Sequence, residues 1–417
     1  MSTLFPTKRH ANPLPIERKS LLGFLTLGHA VIHWYQQLFP VILPLIKADL
    51  GLTDIQVGGL TTAKEAASGL LTLPSGFLAD AWVKHRALIL ACAVAMGGIA
   101  YLLVGSAASY PRVLLSLCLL GAASALWHPS AVSSLSSHFA DQRGTALSLH
   151  GVGASIGDTI GPLCVGGLLL WAGWRHLAQW HLIPALILAV VLWKCIHRAY
   201  DGEGSGPDLS AYLTGVKELI SHPSILMVML ASSFVGMARL SVITFLPLYL
   251  AEEAGYSSFW LGFHWMLLYA MGVVSQPLMG IISDRFSRKT VLLPAFTLMG
   301  LLYLALPTAQ HNIQLGLVIA ALGLFFYGTG NIATAAVLDV AATHVQGTTH
   351  SVMSLFRQIF TLPSPIISGL IVTTYGLRPV FYFASALLLL AAFLWVFIRI
   401  PTRHSESDTW PSTSRAS

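Results

Sequence analysis

The sequence predicts an all-α membrane protein with twelve transmembrane helices arranged as two six-helix repeats. Three observations carry that prediction. First, 55% of the 417 residues are hydrophobic and only 10% are charged. Mean hydropathy is +0.71. A chain folded in water carries about 25% charged residues, so most of this surface is built for lipid. Second, the apolar runs approach the roughly 20 residues that a spanning helix needs and lack the short alternating segments of a barrel. Helices also satisfy their own backbone amides, which lipid requires. Third, landmarks of the first half return in the second at one shared offset.

The spans are placed at 20–46, 54–80, 87–106, 111–138, 145–172, 177–197, 224–250, 257–282, 290–308, 312–341, 349–375 and 378–399. They form an N-terminal bundle, 20–198, and a C-terminal bundle, 224–400. A Gly- and Asp-bearing linker, 199–223, separates them, and polar tails, 1–19 and 401–417, flank them. The first apolar run continues into the bundle, so no separate signal peptide is expected. An even number of spans puts both termini on one side. Of the 23 Lys and Arg residues, Lys47, Arg112, Arg175 and Arg378 fall on the opposite side and Lys64, Arg239 and Arg357 within spans; the rest lie with the termini. Cytoplasmic loops hold the basic excess, so both termini are expected in the cytoplasm of a bacterial inner membrane. That bias accounts for the net charge of +6 without a nucleic-acid partner. Cys92, Cys118, Cys164 and Cys195 lie within apolar runs at no paired spacing, which points to neither a disulfide nor a zinc site.

The repeat is legible residue by residue. "LPLIKADLG" (43–51) returns as "LPLYLAEEAG" (246–255) with one residue inserted. Pro74, Gly76 and Asp80 return as Pro277, Gly280 and Asp284, and "RGTALS" (143–148) as "QGTTHS" (346–351). Two parallel six-helix units facing each other leave a central cleft. Rocking one against the other exposes that cleft to each side in turn.

Two loops carry a motif. "GFLADAWVKHR" follows the second span and "GIISDRFSRK" the eighth. Gly and Asp four residues apart share one face of a helix end. The glycine is expected to admit a neighbouring helix, and the aspartate to accept hydrogen bonds from a facing helix N-terminus. Gly76, Asp80 and Arg86, with Gly280, Asp284, Arg285 and Arg288, are therefore candidate parts of a conformational latch. These loops resemble the signature loop of the major facilitator superfamily, Gly-x-x-x-Asp-Arg/Lys-x-Gly-Arg/Lys-Arg/Lys. The second copy fits apart from Ser287; the first has Ala81 and Val83 at two pattern positions. "GAASALWHPSAVSSLSSHFADQRGTALSLHGVGASIGDTIGPL" is similar to the fosmidomycin-resistance-type branch, with His-Pro in the fourth span and Gly-Pro-Leu in the fifth. The substrate does not follow from that likeness, because Glu65 stands where the branch carries a neutral polar residue. Gly153, Gly157, Gly161 and Pro162 resemble the antiporter signature of proton-coupled exporters, except that Gly166 is one residue too far along. The same residues also read as a small-residue stripe for close helix packing.

Ionisable groups inside spans are costly and usually face the interior. Glu65 lies about 22 Å from the Asp80 end of its helix at 1.5 Å per residue. Lys64 precedes it, and neighbours on a helix diverge by about 100°, so only one of the two is expected to face the cleft. Arg239, Arg357 and Asp158 are also deep. His29 and His33 share a face of the first span at i, i+4, but no third ligand is evident and no metal is expected. His128 stands beside Pro129, where it is a candidate to bridge the backbone bond that proline removes. Each has a structural alternative: a salt bridge for Glu65, an interhelical hydrogen bond for Asp158, polar packing for the histidines. A carboxyl in low dielectric holds its proton tightly, and an approaching cation releases it. Relative motion of Glu65 and its cations would couple a proton gradient to transport.

These observations point to a secondary transporter working by alternating access, with no enzymatic activity and no cofactor beyond the proton gradient. The expected activity is efflux of a small anionic or zwitterionic compound or drug by a functional monomer in the bilayer. The alternative is uptake of an organic acid or nutrient by symport or uniport. A non-transporting receptor or scaffold is the remaining possibility.

Overall fold

The computed structural model describes residues 16–199, 223–310, 313–338 and 346–398. The 199–223 linker and both polar tails lie largely or wholly outside them. The first half comprises α1 (Ile16–Leu50), α2 (Asp54–Ala81), α3 (Arg86–Ser106), α4 (Tyr110–His138), α5 (Arg143–Leu168) and α6, broken at His181 into α6a (Trp174–Trp180) and α6b (Leu182–Ile196). The second comprises α7 (Pro223–Leu248), α8 (Ser258–Arg285), α9 (Arg288–Ala305), α10a (Ile313–Phe326) with α10b (Gly328–Leu338), α11a (Gln346–Thr361) with α11b (Ser364–Tyr375), and α12 (Arg378–Phe397). Helix α1 starts at Ile16, four residues ahead of the expected span, and α11a at Gln346, three ahead.

Among the described residues, nine helices are long and apolar enough to cross a membrane on composition alone. α1, α2 and α5 are not among them. These three carry His29 and His33, Lys64 and Glu65, and His150 and Asp158. Their polar faces turn to the interior, and the other nine supply most of the lipid-facing belt. Trp171, Ile183, Val274, Ile281, Ile313 and Leu317 expose large apolar side chains outward, as a bilayer allows and water would not.

The repeat shows in the backbone. Gly51 and Gly255 are equivalent in the two halves, and both turn the chain at positive φ, 60° and 69°, where a Cβ is disfavoured. The residue inserted in "LPLYLAEEAG" is absorbed by a π turn, Tyr249–Glu253, since i to i+5 bonding accommodates one extra residue. Helix α2 starts on a capping box, with Gln56 N donating to Thr53 Oγ1 at 3.2 Å and Thr53 N to Gln56 Oε1 at 2.9 Å.

One end of the molecule is sealed by contacts between the halves, and the seal is built twice. Gly58 on α2 lies against the Pro365 carbonyl of α11b; its repeat partner Gly262 on α8 lies against the Pro162 carbonyl of α5. Gly369 lies against the Asp54 carbonyl, and its partner Gly166 against that of Ser258. The spacing Pro162 to Gly166, off by one from the antiporter pattern, recurs as Pro365 to Gly369 because both serve the same contact. Lys47 adds an ionic clasp, 2.6 Å from Asp54 and 2.9 Å from Glu252 of the other half. At the opposite end the polar contacts of the described residues stay within one half: Arg18 with Asp141, Asp80 with Ser133, Lys289 with the Val396 carbonyl.

A Cβ at these four glycines would meet backbone, and overpacking of this kind costs about 1–3 kcal/mol. Gly58→Val and Gly262→Val are therefore expected to lengthen the distance between spin labels at Arg112 and Ile313, both at the sealed end. An unchanged distance distribution would remove these glycines from the seal.

Candidate functional site

Between the halves lies a cavity of about 530 Å³. The first half lines it with His33, Gln36, Gln37, Lys64, Glu65 and Asp158; the second with Arg239, Tyr269, Tyr327, Arg357 and Gln358.

Asp158 is 2% exposed. Gln37 Nε2 donates to its Oδ1 at 2.7 Å, and the Tyr327 hydroxyl donates to its Oδ2. His33 Nδ1 lies 3.0 Å from the same Oδ2. Gln37 in turn accepts from Trp265 Nε1 at 2.7 Å. Tyr327 fills the break between α10a and α10b, and Trp265 stands on α8, so the network crosses from one half to the other. The glycine stripe of α5 makes this possible: Gly153 and Gly157 lie against the Thr26 and Ala30 carbonyls, and Gly161 against Trp34. Helix α5 thereby approaches α1 closely enough for Asp158 to reach Gln37 and His33.

Lys64 and Glu65 both line the cavity, which corrects the expectation that only one would. Their backbone directions diverge, but both side chains are long and flexible, and they meet with Lys64 Nζ 3.0 Å from Glu65 Oε1. Gln358 Nε2 reaches across from the other half to the Glu65 carbonyl at 2.8 Å, over Gly69, where any side chain would collide with its amide. Nearby, Thr62 donates to the Leu362 carbonyl at 3.0 Å, at the break in α11.

The Arg239 guanidinium sits 4.4 Å from the centre of the Phe326 ring and 5.3 Å from that of Tyr327, in cation–π range. Arg357 is exposed to the cavity, and its stem lies along Gly236. Among the described residues neither arginine forms an ion pair.

The histidines converge across three helices. His29 and His33 meet edge to face with ring centres 4.6 Å apart. His128 Nε2 of α4 lies 3.4 Å from His33 Nε2. His29 stacks on His150 of α5 at 3.9 Å. The sequence offered no third ligand beside His29 and His33; the fold supplies His128, and one ring nitrogen from each of the three lies within 4.8 Å of the others. His128 does not bridge the gap left by Pro129. The carbonyl that Pro129 leaves without its helical donor, Ala125, accepts the Ser75 hydroxyl of α2 at 2.6 Å, while His128 Nδ1 bonds the Ser124 carbonyl at 2.9 Å.

In the signature loops, Asp80 Oδ1 accepts from Ser133 at 2.8 Å and lies 3.6 Å from Arg86, and Arg86 Nε donates to the Ala79 carbonyl at 2.6 Å. Asp284 pairs with Arg288 one turn on, and Arg285 stacks on Phe286 at 5.7 Å. These partners all lie within one half: Arg86 and Arg288 open the following helices, α3 and α9. Gly280 has no atom near its virtual Cβ and Gly76 only Pro129 at 4.0 Å, so neither glycine admits a close neighbour here. Among the described residues, the close glycine approaches between the halves lie at the sealed end.

Gln37, His150, Trp265, Tyr327 and Gln358 escaped sequence reasoning. His150 had a signal, since it shares the Gly153–Gly157–Asp158 side of α5. The neutral residues carried none, because an isolated Gln or Tyr in an apolar run is common.

The Major Facilitator Superfamily model matches residues 25–365. The fosmidomycin resistance protein of Escherichia coli (strain K12) is 25% identical over 278 residues, covering 65% of this chain and 67% of that protein. Multidrug resistance protein MdtG of Yersinia enterocolitica is 31% identical over 171 residues, 39% of this chain and 41% of that protein, so that match spans less than half of either. A bacterial homologue of the human lysosomal transporter Spinster, inward-facing and unoccupied, superposes with TM-score 0.75 at 18% identity over 93% of this chain and 98% of that one. The nucleoside transporter NupG superposes with TM-score 0.73 at 14% identity over 91% and 99%. At those identities the two structures share the fold. With twelve helices in two repeats around a central cavity and a family match across most of its length, the chain belongs to the Major Facilitator Superfamily and is a membrane transporter, not an enzyme.

Proposed function

We propose that the chain exports small zwitterionic or anionic organic compounds across a bacterial inner membrane by coupling to the proton gradient, a zwitterionic cargo being exchanged for protons, and works as a monomer. The observation that carries this reading is the charge balance of the cavity. Glu65 is engaged by Lys64, and Asp158 by Gln37, Tyr327 and His33. Arg239 and Arg357 line the same space with no ion pair among the described residues. Two guanidiniums facing one cavity repel each other, and a counter-charge placed between them offsets that repulsion. A carboxylate or phosphonate on the cargo would accept their paired N–H groups.

The basic excess supports placing the end opposite the seal in the cytoplasm, with the cavity loading from inside. The names of the relatives, a fosmidomycin resistance protein and a multidrug resistance protein, support efflux. Proton exchange follows at Glu65. The positive group of a zwitterion requires that carboxylate ionised, so cargo and proton compete for one site. A purely anionic cargo would give the opposite coupling, because protonating Glu65 frees Lys64 to bind it. The pH dependence of transport therefore separates antiport from symport.

Three outcomes are expected. Overexpression in an exporter-deleted strain should lower sensitivity to at least one member of an antibiotic, phosphonate and siderophore-like panel, and lower its cellular accumulation; raised accumulation would show uptake instead. Arg357→Gln should raise KM for that compound about 10–100-fold, the loss of one charge-assisted bond worth about 1.5–3 kcal/mol. Glu65→Gln should abolish proton-driven accumulation in inverted vesicles while cargo–cargo exchange persists. Unchanged proton-driven accumulation would remove Glu65 from the coupling.

A further inference from the structure

We propose that His29, His33 and His128 form a binding site for a divalent transition-metal ion of the zinc class beside the transport cavity. Three features of the cluster lead there. The first is tautomeric. His128 Nδ1 is held by the Ser124 carbonyl at 2.9 Å and His29 Nδ1 by the His150 carbonyl at 2.9 Å. A carbonyl only accepts, so each Nδ1 carries the proton and each Nε2 keeps its lone pair. His33 Nδ1 lies 3.0 Å from the Asp158 carboxylate as an ion-pair contact without a hydrogen bond, so its proton sits on either nitrogen until an ion claims Nε2. Histidines that bind metals through one nitrogen commonly donate the other N–H to a carbonyl or carboxylate in this way.

The second is spacing. His33 Nε2 and His128 Nε2 stand 3.4 Å apart. Two nitrogens sharing a tetrahedral ion at 2.0–2.1 Å lie about 3.3 Å from each other. One ring nitrogen from each of the three histidines lies within 4.8 Å of the others, so a small inward movement of the third ring completes the set. Without an ion, the His33 and His128 Nε2 atoms share at most one proton between them, and His29 Nε2 is buried with no hydrogen-bond partner. An unsatisfied buried acceptor costs about 1–3 kcal/mol. Aromatic or aliphatic side chains would fill the same space without that cost, so packing alone does not account for the histidines.

The third is charge. Asp158 places a buried carboxyl group directly behind His33, where it would offset part of the ion's charge. Three imidazoles suit zinc, copper, nickel or cobalt and do not suit calcium or magnesium, which take oxygen. Three protein ligands leave a fourth position for water or for a donor atom on the cargo, and His33 belongs to the cavity lining. The metal site does not depend on the direction or coupling of transport.

The test uses the full-length protein without a histidine tag, in nanodiscs, stripped with EDTA and then dialysed against Zn²⁺ or Co²⁺. The expected result is one equivalent of metal per chain and the visible d–d absorption of tetrahedral Co²⁺. His29→Gln and His128→Gln, checked for monodisperse elution, should each weaken binding at least about 100-fold. Asp158→Asn should weaken it about 10–100-fold. Wild-type protein that retains no metal, or a His29→Gln/His128→Gln double variant that binds as tightly as wild type, would overturn the proposal. Where a variant fails to fold, the wild-type Co²⁺ spectrum decides alone: without tetrahedral bands the site does not exist.

Discussion

Asp158 is the point on which both halves converge. A buried carboxylate is tolerated only where donors surround it. Here the donors come from a glutamine of α1 and from a tyrosine across the cavity, with a histidine of α1 in ion-pair range. The tyrosine belongs to the second half, and the glutamine is itself held by Trp265 of that half. If the halves separate at this level, the carboxylate loses one donor outright, and a second loses the bond that orients it. Rocking is therefore felt at one buried charge, whatever the cargo. The packing of α5 on α1 is what puts the charge there, so the glycines of α5 are as much a part of the site as the aspartate.

The sealed end shows what the internal repeat is for. A passage that opens alternately needs closures that hold in one state and release in the other, and a closure made of deep side-chain interdigitation would be slow to part. Glycine against backbone carbonyl is shallow, close and directional. Because Gly58 with Pro365 and Gly262 with Pro162 are the same contact written twice, the two closures sit symmetrically about the cavity. They are placed to part together when one half tilts. The ionic clasp at Lys47 lies at the rim, where the cost of breaking it is reduced by water.

Much of this was legible in the chain itself. Apolar run length gave the spans, and the recurrence of Leu-Pro-Leu, Gly and Asp gave the two units. Charges that lipid would reject marked α2, α5, α7 and α11 as interior. What stayed hidden has one physical origin, which is contact between residues distant in sequence. His29 and His33 are neighbours by helical period, but their approach to His128 and His150 depends on how α4 and α5 pack. The Ala125 carbonyl freed by Pro129 was foreseeable; that Ser75 of another helix would take it was not. Lys64 and Glu65 misled because backbone direction was treated as side-chain position. A four-carbon stem spans more than the divergence of two adjacent Cβ atoms, and the attraction of opposite charges closes the remainder.

The distribution of chemistry between the halves constrains how any cargo is held. Both carboxylates and the imidazole of the lining belong to the first half, with Lys64 paired to one of the carboxylates, and both guanidiniums to the second, where Phe326 and Tyr327 hold Arg239 by its face. While Glu65 engages Lys64, a ligand with charge of one sign finds unpaired partners in one half only. A ligand carrying an anionic group on one side and a hydrogen-bonding or cationic group on the other touches both. Its binding energy then depends on the separation of the halves, and a ligand can move a conformational equilibrium only through such a difference in affinity between the two states. Separation of charge across the cleft is thus the feature that would let cargo recognition drive closure.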